Sequence, residues 1–206
     1  MTTSTLEINQ LRIQLGNNTL NYQQSIQAGQ TVTLQGVSGV GKSSLLLCIA
    51  GFIKPSHGTI KWLSTDITKA SIERRPVAML FQENNLFEHI SVQRNAQLGT
   101  KGISLDEIEE CAEQLQIADQ LSKMPAQLSG GQRQRVALLR TLLRPEPIML
   151  LDEPFAELDS TTRSIAANWV AKKAKQHNKT VLLVTHQMED VERLADRNWL
   201  IGAQTF

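Results

Sequence analysis

The 206-residue chain has almost no net charge, only two cysteines, a single tyrosine and no long apolar run. A formal charge of +1 at pH 7 provides no general basic field, which removes the electrostatic argument for nucleic acid or an anionic membrane surface as partner. Cys48 and Cys111 make neither a disulfide framework nor a metal pattern, so a reducing compartment is expected, with Cys48 a small buried thiol. The start, Met1-Thr2-Thr3-Ser4-Thr5-Leu6-Glu7, has neither the basic nor the apolar region of a signal peptide. The longest apolar stretch, residues 45–53, is interrupted by Gly51 and is too short to cross a bilayer. Any membrane role must come through a partner. No internal repeat or low-complexity linker is present, and apolar residues at 41% with charged residues at 20% are ordinary for one compact domain.

Three short runs carry the chemistry. Gly36-Val37-Ser38-Gly39-Val40-Gly41-Lys42-Ser43 fits the phosphate-binding loop pattern G-x-x-x-x-G-K-[ST]. Leu128-Ser129-Gly130-Gly131-Gln132 follows, and then Ile148-Met149-Leu150-Leu151-Asp152-Glu153, an apolar strand ending in two carboxylates. Chance supplies the first pattern in roughly 1% of chains this long, and the second about a hundred times less often.

The surrounding periodicity places these runs. Thr31-Val32-Thr33-Leu34-Gln35 is β-rich and enters the phosphate loop, and residues 43–50 continue as an apolar helix, the context a true phosphate loop requires. Leu6-Glu7-Ile8 and Leu11-Arg12-Ile13-Gln14-Leu15 alternate as half-buried antiparallel strands, and Gly58-Thr59-Ile60-Lys61-Trp62 resembles another. Val77-Ala78-Met79-Leu80-Phe81 is continuously apolar, predicting a strand buried on both faces. Ser104 caps a helix whose apolar face is Leu105, Ile108, Cys111, Ala112 and Leu115, and residues 131–143 form a second helix ended by Pro145 and Pro147. Strand and helix then alternate again through residues 148–151, 160–176, 180–184, 188–195 and 199–201.

In the phosphate loop, glycines let backbone N–H groups turn inward, Lys42 supplies a point charge to the β- and γ-phosphates, and the Ser43 hydroxyl is a magnesium ligand. Asp152 and Glu153 fall at the carboxyl end of a buried strand, where open α/β sheets bind ligands. Neighbouring strand residues point to opposite faces, which gives the pair different jobs: Asp152 the magnesium partner, Glu153 the base that polarises water.

All three runs in this order resemble the ATP-binding cassette (ABC) ATPases, over essentially the whole chain. The resemblance implies an α/β fold: a phosphate-loop NTPase (RecA-like) core with an N-terminal antiparallel β subdomain and an inserted helical subdomain. One ABC ATPase domain over 1–206 is expected, with 1–83 and 145–206 as core and 84–144 as the helical part. The nucleotide-binding set is Gly36, Ser38, Gly39, Gly41, Lys42, Ser43 and Ser44, joined from a second subunit by Ser129, Gly130, Gly131, Gln132 and Asp159. Glu153 matches the catalytic glutamate and His186 the switch histidine that contacts the γ-phosphate. Gln82 matches the Q-loop glutamine, which serves both water and metal, and Ser43, Gln82 and Asp152 form the magnesium set. ATP and Mg2+ are the implied cofactors, and two ATP molecules are sandwiched in a head-to-tail homodimer. Arg133 and Arg135 follow the signature as they do in the family, so no nucleic-acid role is assigned to them.

One departure concerns the base. The family places an aromatic residue about 25 to 30 positions before the phosphate-loop lysine to stack on adenine. Here Ile13 and Leu15 stand there, so adenine is expected on an aliphatic face, with weak discrimination between ATP and GTP.

The run Arg74-Arg75-Pro76-Val77-Ala78-Met79-Leu80-Phe81-Gln82-Glu83-Asn84-Asn85-Leu86-Phe87 is similar to the ATPase subunits of bacterial thiamine importers, and polyamine, iron and molybdate importers share parts of it. The resemblance implies a peripheral protein at the cytoplasmic face of the inner membrane, partnered by integral permease subunits and a periplasmic binding protein. Leu86, Phe87 and Ile90 are expected at the permease groove, the alternative being that they pack inside the helical insert, with the two readings equal for Leu86. The chain ends twenty residues after His186, and no appended regulatory domain is expected. The alternative is a non-transport ABC ATPase of translation or DNA repair, which commonly carries two cassettes or a long coiled-coil insert. A nucleotide-binding regulatory module without turnover would normally lack Glu153 or His186.

Overall fold

The computed structural model describes residues 6–16, 18–83, 85–100 and 102–202. The segment Met1–Thr5 and Asn84, both named above, lie outside the described residues. Two sheets organise the rest. β1 (Leu6–Leu15), β2 (Asn18–Ile26), β4 (His57–Trp62) and β5 (Thr65–Asp66) form an antiparallel sheet in the order β2-β1-β4-β5. β3 (Thr31–Gln35), β6 (Val77–Leu80), β7 (Ile148–Asp152), β8 (Thr180–Val184) and β9 (Arg197–Leu200) form a second sheet in the order β6-β7-β8-β3-β9, every pair parallel. Parallel strands need crossovers, which are supplied by α1 (Lys42–Ala50), α5 (Ser160–Gln176), α6 (Met188–Leu194) and the run α2 (Val92–Gln97), α3 (Leu105–Gln114) and α4 (Gly130–Leu142) between β6 and β7.

The two faces of the parallel sheet feed two apolar clusters, as the period of two requires. Ile148, Leu150, Leu182 and Val184 join α1 and the antiparallel sheet. Met149, Leu151, Val181 and Leu183 join α5 and all three inserted helices, so the insert shares its core with the sheet. At the insert's C-terminal end, Lys179 Nζ donates to the Arg144 carbonyl at 2.6 Å and the Glu146 carbonyl at 2.8 Å, beside Pro145 and Pro147.

Four expectations change. Leu6–Ile8 and Leu11–Leu15 are one strand whose register shifts between Ile8 and Leu11, with Gln10 at φ +45°. Val77–Leu80 is an edge strand, not a strand buried on both faces: Val77 and Met79 are only half-buried, because no strand lies beyond β6. Leu105 leaves the apolar face of α3 and is 52% exposed, since it occupies the first helical turn ahead of the buried Ile108. Ser104 does cap α3, accepting from Glu107 N at 3.1 Å. Finally, Asp152 is the last residue of β7 while Glu153 lies beyond it at φ +48°, so a backbone turn, not strand alternation, separates the two carboxylates. Cys48 and Cys111 are buried and unbridged, and burial pushes the Cys48 thiol up to about 11. Among the described residues no helix is long and apolar enough to cross a membrane.

Candidate functional site

The parallel register brings one set of strand ends to a single edge. β3 ends in the phosphate loop, β6 leads to Gln82, β7 to Asp152 and Glu153, and β8 to His186. Gln82 is exposed at this edge, two residues past β6 and beside β7.

The loop's geometry follows from Gly41, at φ +106°, a backbone state that costs an L side chain dearly. A Cβ there would also collide with Leu20 and the Tyr22 hydroxyl. That hydroxyl donates to the Gly41 carbonyl at 3.0 Å, and burial pushes the phenol up to about 12. Tyr22 thus buttresses the turn from behind. Lys42 Nζ donates to the carbonyls of Gly36 (2.9 Å) and Val37 (3.0 Å), folding its ammonium over the loop that Ser38 and Gly39 complete. Ser43 and Ser44 follow in the first turn of α1.

Ser43 Oγ donates to Asp152 Oδ1 at 3.0 Å, joining α1 to β7. Burial raises the Asp152 carboxyl above its ordinary value. The Ser43 hydroxyl and the Lys42 charge pull it down, and the Glu153 charge pushes it up. A buried carboxylate beside a hydroxyl is a pair of hard oxygen donors, which fits Mg2+. Among the described residues no cluster of three or more His, Cys, Asp or Glu could hold a metal alone. Mg2+ commonly meets this situation by taking its other ligands from water and substrate phosphates.

Glu153 is held by its backbone. Its N–H donates to the Val184 carbonyl at 3.1 Å, and its own carbonyl accepts from Gln134 Nε2 at 3.0 Å. Its carboxylate reaches His186, with Oε1 at 3.2 Å from Nε2. His186 sits in a turn closed by Thr185, whose hydroxyl donates to the buried Asp190 at 2.6 Å and accepts from Gln187 N at 3.1 Å. A cavity of about 130 Å³ opens beside Glu153 and His186.

The signature run opens α4. Ser129 accepts from Gln132 N at 3.3 Å, while Gln132 Oε1 accepts from Ser129 N at 2.9 Å, a reciprocal cap at the start of the helix. Gly130 lies against Glu157, whose carboxylate a Cβ there would strike. Asp159 caps α5 through Thr162 N at 3.0 Å, and the Thr162 hydroxyl holds its carboxyl below the usual range. The signature arginines are engaged within the fold. Arg133 pairs with Glu88 and donates to Pro125 O, and Arg135 donates to Leu115 O and Gln116 O.

The chain matches the family model described as ABC transporter over residues 20–156. It belongs to the ABC transporter family. It is similar to the thiamine import ATP-binding protein ThiQ of Salmonella choleraesuis, at 43% identity covering 86% of this chain and 78% of that one. The protein of that name from Escherichia coli K12 is 42% identical, covering 89% and 82% of the two chains. Among solved structures, the dimeric post-hydrolysis state of the ATP-binding cassette MJ0796 with ADP and Pi superposes with a TM-score of 0.82 at 25% identity, covering 95% of this chain and 94% of that one. A bacterial Atm1-family ABC exporter shares the fold, with a TM-score of 0.86 at 23% identity, covering 98% of this chain and 38% of that chain. As a family member this ABC protein binds ATP and is an ATPase coupled to transport. Its fold is the phosphate-loop NTPase cassette expected from sequence.

Two further surfaces complete the account. A cavity of about 1140 Å³ lies between the β1 bulge, the start of β4 and the turn Ile72–Arg74, and holds none of the residues predicted for the site. A groove of about 310 Å³, lined by Phe52, Val77, Met79, Phe81, Phe87 and Leu98, runs between edge strand β6 and the insert. Leu86 is buried, whereas Phe87 is 49% exposed. The fully buried Asn95 fixes the Phe87 backbone, accepting from Phe87 N at 2.9 Å and donating to Phe87 O at 3.1 Å, and the Arg140 guanidinium stands 5.8 Å from the ring centroid.

The base-stacking expectation needs correction at Ile13. That side chain is fully buried in the antiparallel sheet's core and cannot face adenine, and a Trp there would overpack it. Leu15 remains exposed. We predict a preference for ATP over GTP of about tenfold or less, and a gain of roughly 0.5–1.5 kcal/mol in ATP binding for Leu15→Trp. Competition of the two nucleotides for the wild-type protein checks the first statement. A preference beyond about a thousandfold, some 4 kcal/mol, would reveal a strong base contact elsewhere.

Proposed function

We propose that this ABC ATPase drives a bacterial importer, with thiamine as cargo, by closing a head-to-tail homodimer around two ATP molecules. The observation that carries the chemistry is the Glu153–His186 contact beside the Ser43–Asp152 pair, at the strand edge where the phosphate loop also ends. Lys42 holds the β- and γ-phosphates, with Gly36, Ser38, Gly39, Gly41, Ser43 and Ser44 around them. Ser43 and Asp152 would hold Mg2+, with Gln82 on the β6 side, and the metal would supply positive charge against the charge developing on the phosphates. Glu153 accepts the proton of the attacking water, and His186 holds Glu153 and meets the γ-phosphate. Ser129, Gly130, Gly131, Gln132 and Asp159 close the site of the partner subunit.

The cargo reading rests on the names of the relatives at 42–43% identity. It places the protein at the cytoplasmic face of the inner membrane, with permease subunits and a periplasmic binding protein. The permease's cytoplasmic segment docks in the groove at Phe87, whose backbone is pinned while its ring stays half-exposed. A central aromatic anchor carries over about 1 kcal/mol. Phe87→Ala should therefore weaken co-purification with the permease and cut uptake several-fold, while melting within about 3 °C of wild type. A mutant that melts much lower and no longer binds ATP would assign Phe87 to the core and end the docking claim. For the cargo, ATPase of the reconstituted complex should rise with thiamine-loaded binding protein. No response to thiamine, with a response to another solute, would overturn that cargo.

A further inference from the structure

Gln134 has no part in the proposed chemistry, yet its side chain is hydrogen-bonded to two backbone sites of the loop that carries Glu153. It is 2% exposed, on α4, five residues after the Ser129 cap. Its Nε2 donates to the Glu153 carbonyl at 3.0 Å and its Oε1 accepts from Glu157 N at 2.8 Å. One amide therefore grips both ends of the loop 153–157 from a helix 19 and 23 residues away. Glu153 needs such a grip. At φ +48° it occupies a state that a non-glycine residue keeps only when its surroundings hold it. The hold is divided: Val184 O takes the Glu153 N–H on the β8 side, and the carbonyl accepts from Gln134 Nε2 on the α4 side at 3.0 Å and, more loosely, from Ala156 N within the loop at 3.3 Å.

We propose that Gln134 is a positioning residue for hydrolysis, transmitting the seat of the α4 N-terminus to the Glu153 backbone. This rests on the proposed roles of Glu153 as base and of Ser129 to Gly131 as the grip on the partner's nucleotide. In a head-to-tail dimer those two roles serve different ATP molecules. The carboxylate aims at water over its own phosphate loop, while the start of α4 meets the γ-phosphate on the other subunit. Gln134 then makes engagement at one nucleotide site a condition for an aimed base at the other. A rotation of α4 tilts the Glu153 peptide, and a misplacement of about 1 Å at a reacting group can cost a factor of a hundred.

The test uses the purified full chain with two substitutions. Gln134→Met keeps length and removes both hydrogen bonds. Gln134→Glu keeps the acceptor for Glu157 N and removes the donor to the Glu153 carbonyl. Both should lower kcat by about tenfold or more, with ATP affinity within about threefold of wild type. Combining Gln134→Met with Glu153→Gln should lower residual turnover no further than Glu153→Gln alone, because Gln134 acts only through that residue. Both variants turning over within about twofold of wild type would overturn the proposal, as would a full multiplicative loss in the double variant. Lost ATP binding together with a lowered melting point in both variants would show a structural role only, and also overturns it. If Gln134→Met alone fails to fold, Gln134→Glu decides. An active Glu153→Gln protein would sink the general-base reading itself. An inactive one beside a fully active Gln134→Met sinks only this inference.

Discussion

Glu153→Gln is expected to cut ATP turnover by at least about a hundredfold, the low end of what a positioned general base contributes. The change removes a negative charge and a proton acceptor and little else. The ties that hold the residue, Glu153 N to Val184 O and Gln134 to the Glu153 carbonyl, are backbone ties and do not involve the carboxylate. The new amide keeps the shape and can still meet His186 across the present 3.2 Å. Nucleotide affinity, set by the phosphate loop, should therefore persist. Bound ATP that is not hydrolysed should hold two cassettes together, so size exclusion with ATP and Mg2+ should show a doubled mass that ADP does not produce. Near-wild-type turnover would remove Glu153 from the base role.

Lys42→Ala should act one step earlier, on binding. In the structure the ammonium donates to Gly36 O and Val37 O and so braces the loop. Hydrogen bonds to charged groups are worth about 1.5–3 kcal/mol each. On the proposed role, losing two such bonds to the β- and γ-phosphates lowers ATP affinity by at least about a hundredfold, since about 1.4 kcal/mol is tenfold. The same ammonium holds two loop carbonyls without nucleotide, so the melting point of the free protein should fall as well, by roughly 2–4 °C per kcal/mol lost. Equilibrium binding of a fluorescent ATP analogue measures the effect. Affinity within about threefold of wild type would show that the loop amides alone carry the phosphates.

Much of the fold, and the gathering of the candidate site residues at one sheet edge, is legible in the sequence for a local reason. The phosphate loop, signature and carboxylate strand are contiguous, and each brings its own strand or helix terminus. What escaped depends on partners distant in the chain. β2 was missed because Asn18–Ile26 is polar and buries only Tyr22 and Ile26. Asn95 and Gln134 look like ordinary helix polar residues, and only the backbone they meet gives them a task. The edge position of β6 is likewise invisible in an apolar run, since strand order and not composition decides which face stays open. Ile13 shows the converse: counting back from the lysine finds the position, but the β1 bulge and the strand pleat decide where its side chain faces.

The two ends of the helical insert are unequally anchored. Where α4 returns to β7, two prolines fix backbone torsions and Lys179, almost wholly buried, clasps the carbonyls on either side of Pro145. Where the chain leaves β6, Gln82 and Glu83 are exposed and the strand has no outer neighbour. Any rocking of the helices against the sheet therefore has its fulcrum at the Pro145–Pro147 corner and its free stroke at the glutamine. The Phe87 groove opens at that looser end, a few residues along the chain from Gln82.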